Sequence, residues 1–410
     1  MTLEGSSLGT TPAAPAIREV LSFARSEIRT AAAGLWPTAT VEVVAHVPSV
    51  TGYVCRVRVG DRDLYAKYSY LGISLVSLSR GARGGWPCVR QAQRAYTARQ
   101  DAVLVREAAQ LRFLGALGRP RVCAVAGLHP SGVLFTERVA GPTLASLLLD
   151  RPQDTAVLME STWSELDRLH HPQTVRRLTP ADAIGERGIT STFRRKFDGV
   201  GGSLYLDRLG DERCSMDGRA ELVGTVRQVV ARLCGVRGPA RVPGRPVLVH
   251  GDLKPEHVFF PQGPAHRPVF IDPGLRQATG PEADAAKLIS RCVLLLAATA
   301  PGPLVAPLVM QGVGAFAEQR MSVLTGQDPH LWVREVLALW LMDTVNVLTT
   351  CLSAPSALPL PAHGEALARR AAAVAALADR LSAHLVSPTN DMALWERSLD
   401  TAAGIGGVGR

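Results

Sequence analysis

An α+β chain in two lobes, a small β-rich one followed by a larger and mainly helical one, is the fold class that the 410-residue sequence predicts. Three observations lead there. Residues 41–68 read as strands closing in a tight hairpin, and the chain after residue 144 carries apolar residues mostly at helical spacing. A single strand-loop-strand unit interrupts that helical half at Val247 to Asp272. At about 150 residues per domain, the length fits two or three folding units. An apolar share of 47% excludes a disordered chain.

Taken in order, residues 14–33 place Ile17, Val20, Leu21, Ala24 and Ile28 on one helical face. The hairpin runs from Tyr53 to Val59, turns at Gly60-Asp61 and returns from Asp63 to Tyr68. Residues 101–117 predict a helix, Val133 to Val139 a short strand ending at Gly141-Pro142, and residues 363–387 a late helix. The expected organisation is an N-terminal helical extension (1–35), the small lobe (36–138) with a basic insert at 70–100, the helical lobe (139–400) and a flexible tail (401–410).

Composition removes several classes of function. The seven cysteines are odd in number and form no CxxC, which supports neither a disulfide framework nor a structural zinc site. The first sixteen residues lack the basic and apolar segments of a secretory signal. Residues 293–310 are broken by Pro301, Gly302, Pro303 and Pro307, and residues 335–354 carry Glu335, Asp343 and Asn346, so neither is expected to span a membrane. A cytoplasmic protein is the expectation. The formal charge of +9 invites a nucleic-acid reading, but the arginines are dispersed and only Lys67, Lys196, Lys254 and Lys287 are lysines. Where Arg is the default cation, each Lys is a candidate for a task that a planar guanidinium cannot do.

The strongest chemical signal is Val247-Leu-Val-His-Gly-Asp-Leu-Lys-Pro-Glu-His-Val-Phe-Phe260, followed by Val269-Phe-Ile-Asp-Pro-Gly274. Each half is an apolar strand that delivers a carboxylate at its end, Asp252 and Asp272. Two such acids suit phosphoryl transfer, one accepting the proton of an attacking hydroxyl and the other holding a divalent ion on the nucleotide phosphates. The bland alternative is a strand-end turn in which His250 and Asp252 satisfy backbone groups. These segments match the HGDxxxxN and IDxx motifs, and here the sequence resembles the aminoglycoside phosphotransferase and choline kinase-like family. The resemblance covers roughly residues 40–300 and is absent from 70–100.

That resemblance implies a protein-kinase-like fold and transfer of the γ-phosphate of ATP, or GTP, to a hydroxyl. On it, Asp252 is the catalytic base, Lys254 a partner for the transferred phosphate, and Asp272 the principal metal ligand. His257 stands where most of the family has Asn, and the macrolide phosphotransferases, a branch of the family, look to carry His here too. Magnesium prefers oxygen whereas neutral imidazole suits manganese or zinc better, so the position reads either as an altered metal preference or as a damaged, pseudokinase site. Asp284, in Gly280-Pro-Glu-Ala-Asp-Ala-Ala-Lys287, would be the acid that braces the catalytic loop; it also suits a helix first turn without any such role.

Lys67 ends a strand where kinase-like folds place the lysine of the α- and β-phosphates; alone, it also reads as a solvated edge charge. Its candidate partner is Glu107, which falls among Leu104, Ala108, Leu111 and Leu114 on the apolar stripe of its helix, or at the edge of it. Ser49, Thr51 and Gly52 would form the phosphate-covering loop, which has no G-x-G-x-x-G and can equally be a plain turn. By resemblance to the family hinge, backbone groups from Glu137 to Val139 would bind adenine. The insert carries Arg80, Arg83, Arg90, Arg94 and Arg99 and no acid, either as a solvated decoration or as a docking surface for an acidic partner anchored by Trp86 and Tyr96.

Aminoglycoside kinases hold their polycationic acceptors with carboxylates, and residues 296–317 contain none. The expected acceptor is a neutral, natural-product-type hydroxyl, as in antibiotic resistance or natural-product biosynthesis. The alternatives are a Ser or Thr of a peptide, as in class V lanthipeptide pathways, and a nucleotide-binding scaffold without activity.

Overall fold

The Gly60-Asp61 signal makes the hairpin it announces. In the computed structural model, which describes residues 14–178, 185, 188–236, 246–324, 326, 328–387 and 390–406, helix α1 (Ile17–Leu35) precedes strands β1 (Val41–Val47), β2 (Tyr53–Val59) and β3 (Arg62–Tyr68). β2 and β3 pair antiparallel with Val59 opposite Arg62 and Tyr53 opposite Tyr68. Gly60 takes φ +60°, a left-handed conformation that costs glycine little. Strict alternation buries Tyr53, Cys55, Val57 and Val59 of β2 with Leu64, Ala66 and Tyr68 of β3. The face of α1 bearing Val20, Ala24 and Ile28 is buried, and α1 packs on all three strands, so the helix is part of the lobe rather than an extension from it.

The insert folds as α2 (Leu75–Ser79) and α3 (Trp86–Thr97). Trp86 meets the Phe23 ring edge-on at 5.3 Å, and the buried Gln93 side chain accepts from Leu71 N–H and donates to the Ser69 carbonyl, both at 2.9 Å. Helix α4 (Val103–Leu117), β4 (Val125–Leu128) and β5 (Leu134–Glu137) follow, giving a five-stranded sheet in the order β1-β2-β3-β5-β4.

The helical half contains α5 (Leu144–Asp150), α6 (Thr155–Leu166), α7 (Pro172–Val175), α8 (Ile189–Phe197), α9 (Gly199–Asp207) and α10 (Met216–Gly235). Two small antiparallel ladders come next: β6 (Val247–Val249) with β9 (Arg276–Ala278), and between them β7 (Val258–Phe259) with β8 (Val269–Phe270). The chain ends in α11 (Glu282–Thr299), α12 (Val305–Ser322), α13 (Asp328–Ser353), α14 (Ala362–Arg369), α15 (Ala371–Val386) and α16 (Asp391–Ala403). The mixture of a sheet-bearing part and a mainly helical part is the α+β class that the sequence predicts.

The chain divides into two units: Met1–Val105 with Gly127–Phe135 and Pro355–Pro359, and Arg106–Ala126 with Thr136–Ala354 and Leu360–Arg410. The core of the second centres on α11 and α13, with Trp340 and Trp395 fully buried. Helix α13 is long and apolar enough to cross a membrane by length and composition, but 89% of its most apolar stretch is buried in protein, as in a core helix. Residues 363–387 are two helices and not one. Arg370 breaks them, and its guanidinium donates to the carbonyls of Ala297 (2.7 Å) and Ile405 (3.1 Å). The same contact corrects the expected tail: residues 401–403 end α16, Gly404–Gly406 form a 3-10 turn with Ile405 buried, and only residues 407–410 of that segment lie outside the described residues.

Candidate active site

Strand β6 is buried at all three positions and delivers His250, Gly251 and Asp252 at its end. The turn is possible only with glycine: Gly251 has φ +76°, and a Cβ there would come within 2.0 Å of the Gly274 carbonyl oxygen. Gly274 N–H donates to the His250 carbonyl at 2.9 Å, which ties the end of β6 to the segment after β8. The β7–β8 ladder pairs Val258 with Phe270 and Phe259 with Val269, and Ile271 N–H donates to the His257 carbonyl at 3.0 Å. Asp272 therefore emerges beside the loop that holds Asp252. It is held at φ +53°, a strained conformation of the kind concentrated at functional sites.

The carboxylate of Asp252 lies between two ammonium groups, with Lys254 Nζ 2.7 Å from Oδ2 and Lys287 Nζ 2.7 Å from Oδ1. His257 stands between the two acids, its Nδ1 3.7 Å from Asp252 Oδ2 and its Nε2 3.6 Å from Asp272 Oδ2. Below them Asp284, fully buried, accepts from the amides of His250 (2.6 Å) and Gly251 (2.8 Å) and pairs with His170 Nε2 (3.0 Å).

These contacts fix the charges. Burial alone would raise the Asp252 carboxyl, but the ammonium groups of Lys254 and Lys287 outweigh it and hold the group well below the usual carboxylate range. Burial and then the Lys254 ammonium push the His257 imidazole down to about 4, against the pull of Asp272 and Asp252, so it is neutral at pH 7. A neutral imidazole nitrogen and a carboxylate oxygen 3.6 Å apart suit two ligands of one divalent ion. Among the described residues no cluster of three or more such side chains exists, so the pair fits an ion whose coordination is completed by phosphate oxygens and water.

Of the residues singled out in the sequence, Asp252, Lys254, His257, Asp272 and Asp284 come together. Lys287 also belongs here, although the sequence reading placed no role on it; the scarcity of lysine and its spacing of three from Asp284 on a helix were the available signals. His170, 114 positions from Asp284, left none.

In the first unit, Lys67 is half-buried on β3 opposite Val54, between the buried Ala66 and Tyr68. The Ser49 and Thr51 hydroxyls lie 3.1 Å apart, and Thr51 N–H donates to Ser49 Oγ at 3.2 Å. Gly52 is required by close approach, since a Cβ would come within 2.9 Å of the Tyr68 carbonyl oxygen.

Contacts in the structure bear on three of the expectations. Glu107 is half-buried at the edge of its stripe, while Leu104, Ala108, Leu111 and Leu114 are buried as expected; the buried polar side chain of that helix is Gln110, whose Oε1 accepts from Leu275 N–H at 3.1 Å. Among the backbone groups from Glu137 to Val139, the Glu137 N–H donates to the Ala124 carbonyl at 2.9 Å, which leaves the hinge reading to the other groups of that segment. In the insert, Tyr96 is half-buried and its hydroxyl accepts from Val103 N–H at 2.7 Å; Arg99 pairs with Asp101 at 2.6 Å and Arg90 lies over the Phe23 ring at 5.4 Å.

A model of the phosphotransferase enzyme family matches residues 88–324, more than half of the chain and all of the Asp252–Asp272 region. The chain belongs to the phosphotransferase enzyme family. The match begins inside the insert, at Cys88, where the sequence resemblance is absent, and it leaves out the loop that carries Ser49, Thr51 and Gly52 and the strand that carries Lys67. As a member of the phosphotransferase enzyme family the protein is an enzyme that acts on hydroxyl groups.

Solved structures to which it is similar include a choline/ethanolamine kinase family protein from Mesorhizobium loti, at 14% identity and TM-score 0.43, over 93% of this chain and 99% of the other. A thermostable aminoglycoside phosphotransferase in complex with ADP and hygromycin B is similar at 11% identity and TM-score 0.49, over 87% and 98% of the two chains. An ethanolamine kinase from Plasmodium vivax follows at 12% and 0.43, over 82% of each. No curated protein matches the chain in sequence.

Proposed function

We propose that the protein transfers the γ-phosphate of ATP to a hydroxyl of a neutral natural-product-type molecule, with Asp252 as the base. The observation that carries this reading is the convergence of Asp252, Lys254, His257 and Asp272 on one loop pair, two acids with two different sets of partners. Asp252 accepts the hydroxyl proton and orients the oxygen; being strongly acidic, it is a weak base whose main contribution is alignment. Lys254 Nζ neutralises charge on the transferred group. Asp272 and His257 would hold the divalent ion, which when bound neutralises phosphate charge. In the first unit, Lys67 and the Ser49-Thr51-Gly52 loop would hold nucleotide phosphates; in the second, the backbone near Val139 would meet adenine. GTP is a possible second donor.

The charge pattern supports a neutral acceptor. Five carboxylates of the helical unit are each engaged by an arginine: Asp343 by Arg291, Glu365 by Arg213, Glu165 by Arg267, Asp379 by Arg232 and Glu160 by Arg320.

The test is ADP formation from ATP with a macrolide, an aminoglycoside and an acidic Ser/Thr peptide as acceptors, in Mg2+ and in Mn2+. The macrolide is expected to stimulate ADP formation, more in Mn2+ than in Mg2+, and His257→Asn should reverse the metal preference. Stimulation by the aminoglycoside alone would overturn the neutral-acceptor reading, and phosphate on the peptide would replace it with a peptide kinase. Absence of turnover with any acceptor in either metal would point to a scaffold.

A further inference from the structure

Helix α11 grips the turn at residues 250–252 through two side chains three positions apart, which places them on one helical face. Asp284 takes the amides of His250 and Gly251. Lys287 donates to the Gly251 carbonyl at 3.0 Å and reaches Asp252 Oδ1 at 2.7 Å. The amides, the carbonyl and the carboxylate of this turn are thus all registered by one rigid element.

The two lysines on Asp252 differ in how they are held. Lys254 extends from the same loop as Asp252, two residues on, and its side chain is 23% exposed. Lys287 extends from the second turn of an 18-residue helix, its side chain is 13% exposed, and it is anchored by a backbone carbonyl as well as by the carboxylate. An ammonium on a flexible stem carries substantial rotamer entropy, and anchoring to two acceptors from a helix removes most of that freedom.

We propose that Lys287 is a positioning residue that fixes the orientation of the Asp252 carboxylate, leaving Lys254 as the ammonium that meets the transferred phosphoryl group. The inference rests on the reading of Asp252 as the base. An acid held on one oxygen from the helix presents its other oxygen to the acceptor hydroxyl in a single orientation. Alignment of this kind is sensitive, because a displacement of about 1 Å can cost on the order of 100-fold in rate.

The experiment measures ADP release from ATP in Mn2+ with water as the acceptor, for the full chain and for Asp252→Asn, Lys287→Met, Lys287→Gln and Lys287→Arg, each checked for cooperative thermal unfolding. Lys287→Met is expected to lower kcat by roughly 10- to 100-fold at unchanged KM for ATP. Lys287→Arg, which restores a cation on the same face, should recover part of the loss. A purely structural lysine would instead lower the Tm, and the folded fraction would keep its kcat. Should Lys287→Met fail to fold, Lys287→Gln, which keeps a donor for the Gly251 carbonyl, is read in its place. A folded neutral variant with kcat within twofold of the parent, while Asp252→Asn is inactive, overturns the role of Lys287 alone. Equal turnover by the parent and Asp252→Asn, or none by the parent, overturns the reading of Asp252 and this inference with it.

Discussion

Asp252→Asn is expected to lower kcat for phosphoryl transfer by roughly 100- to 10,000-fold, the range for losing a positioned acid-base group, while leaving nucleotide affinity within a few-fold. The asymmetry follows from geometry. Asp252 is tied to Lys254 and Lys287 and faces His257, whereas the pair that would hold the ion is Asp272 and His257 Nε2. Removing the negative charge leaves two ammonium groups without their carboxylate. Lys254 remains free to meet phosphate, so nucleotide binding should not weaken and can strengthen. Steady-state kinetics with a nucleotide titration checks this, and an equal loss in kcat and in affinity would contradict the separation of roles.

The largest effect on stability is expected at Asp284. Its carboxylate is fully buried and accepts from two backbone amides while pairing with His170. Asp284→Ala leaves those amides and the imidazole without their acceptor, at a cost of about 3–5 kcal/mol, the range for removing one partner of a buried charged network. The dependence on pH has a definite sign. Burial would raise the Asp284 carboxyl, but the hydrogen bond and charge of His170 outweigh it and lower the group, so its folded value lies below its unfolded value of about 3.9. A lowered acid contributes stability that is fully present above its unfolded value and is lost as the pH falls through its folded value. The Tm of the parent protein should therefore fall more steeply than that of Asp284→Ala as the pH drops from 5 to 3. Parallel curves would show that Asp284 is not ionised in the folded state.

Much of this was legible because the signals are local. The hairpin is written in the alternation from Tyr53 to Tyr68 and in Gly60, and the catalytic loop in a motif whose Gly251 has no room for a Cβ. Glu107 shows where local reading stops. Helical periodicity placed it on or beside the stripe, and which of the two holds depends on Gln110 filling the buried polar position against Leu275, a contact 165 residues apart in sequence. Lys287 stands out in the sequence only as one of four lysines, with no specific role, because only the fold brings α11 under Asp252. Tyr96 and Arg99, read in the sequence as groups of a docking patch, each also have a partner close by in the chain, Val103 and Asp101, and Arg99 stays exposed. The break at Arg370 is not written in the local pattern, and the side chain there is held by distant carbonyls, those of Ala297 and Ile405.

The most direct test of the central claim, that His257 and Asp272 form a working metal-nucleotide site beside Asp252, is thermal unfolding with millimolar ATP in Mg2+ and in Mn2+, alongside Asp272→Asn. A ligand that binds only the folded state stabilises by about 2.7 kcal/mol at a hundredfold excess over Kd, which reads as a rise of several degrees in Tm. The expected result is a metal-dependent rise in the parent protein, larger with Mn2+ and abolished in Asp272→Asn. An unchanged Tm with either metal, or a rise that survives Asp272→Asn, would contradict it.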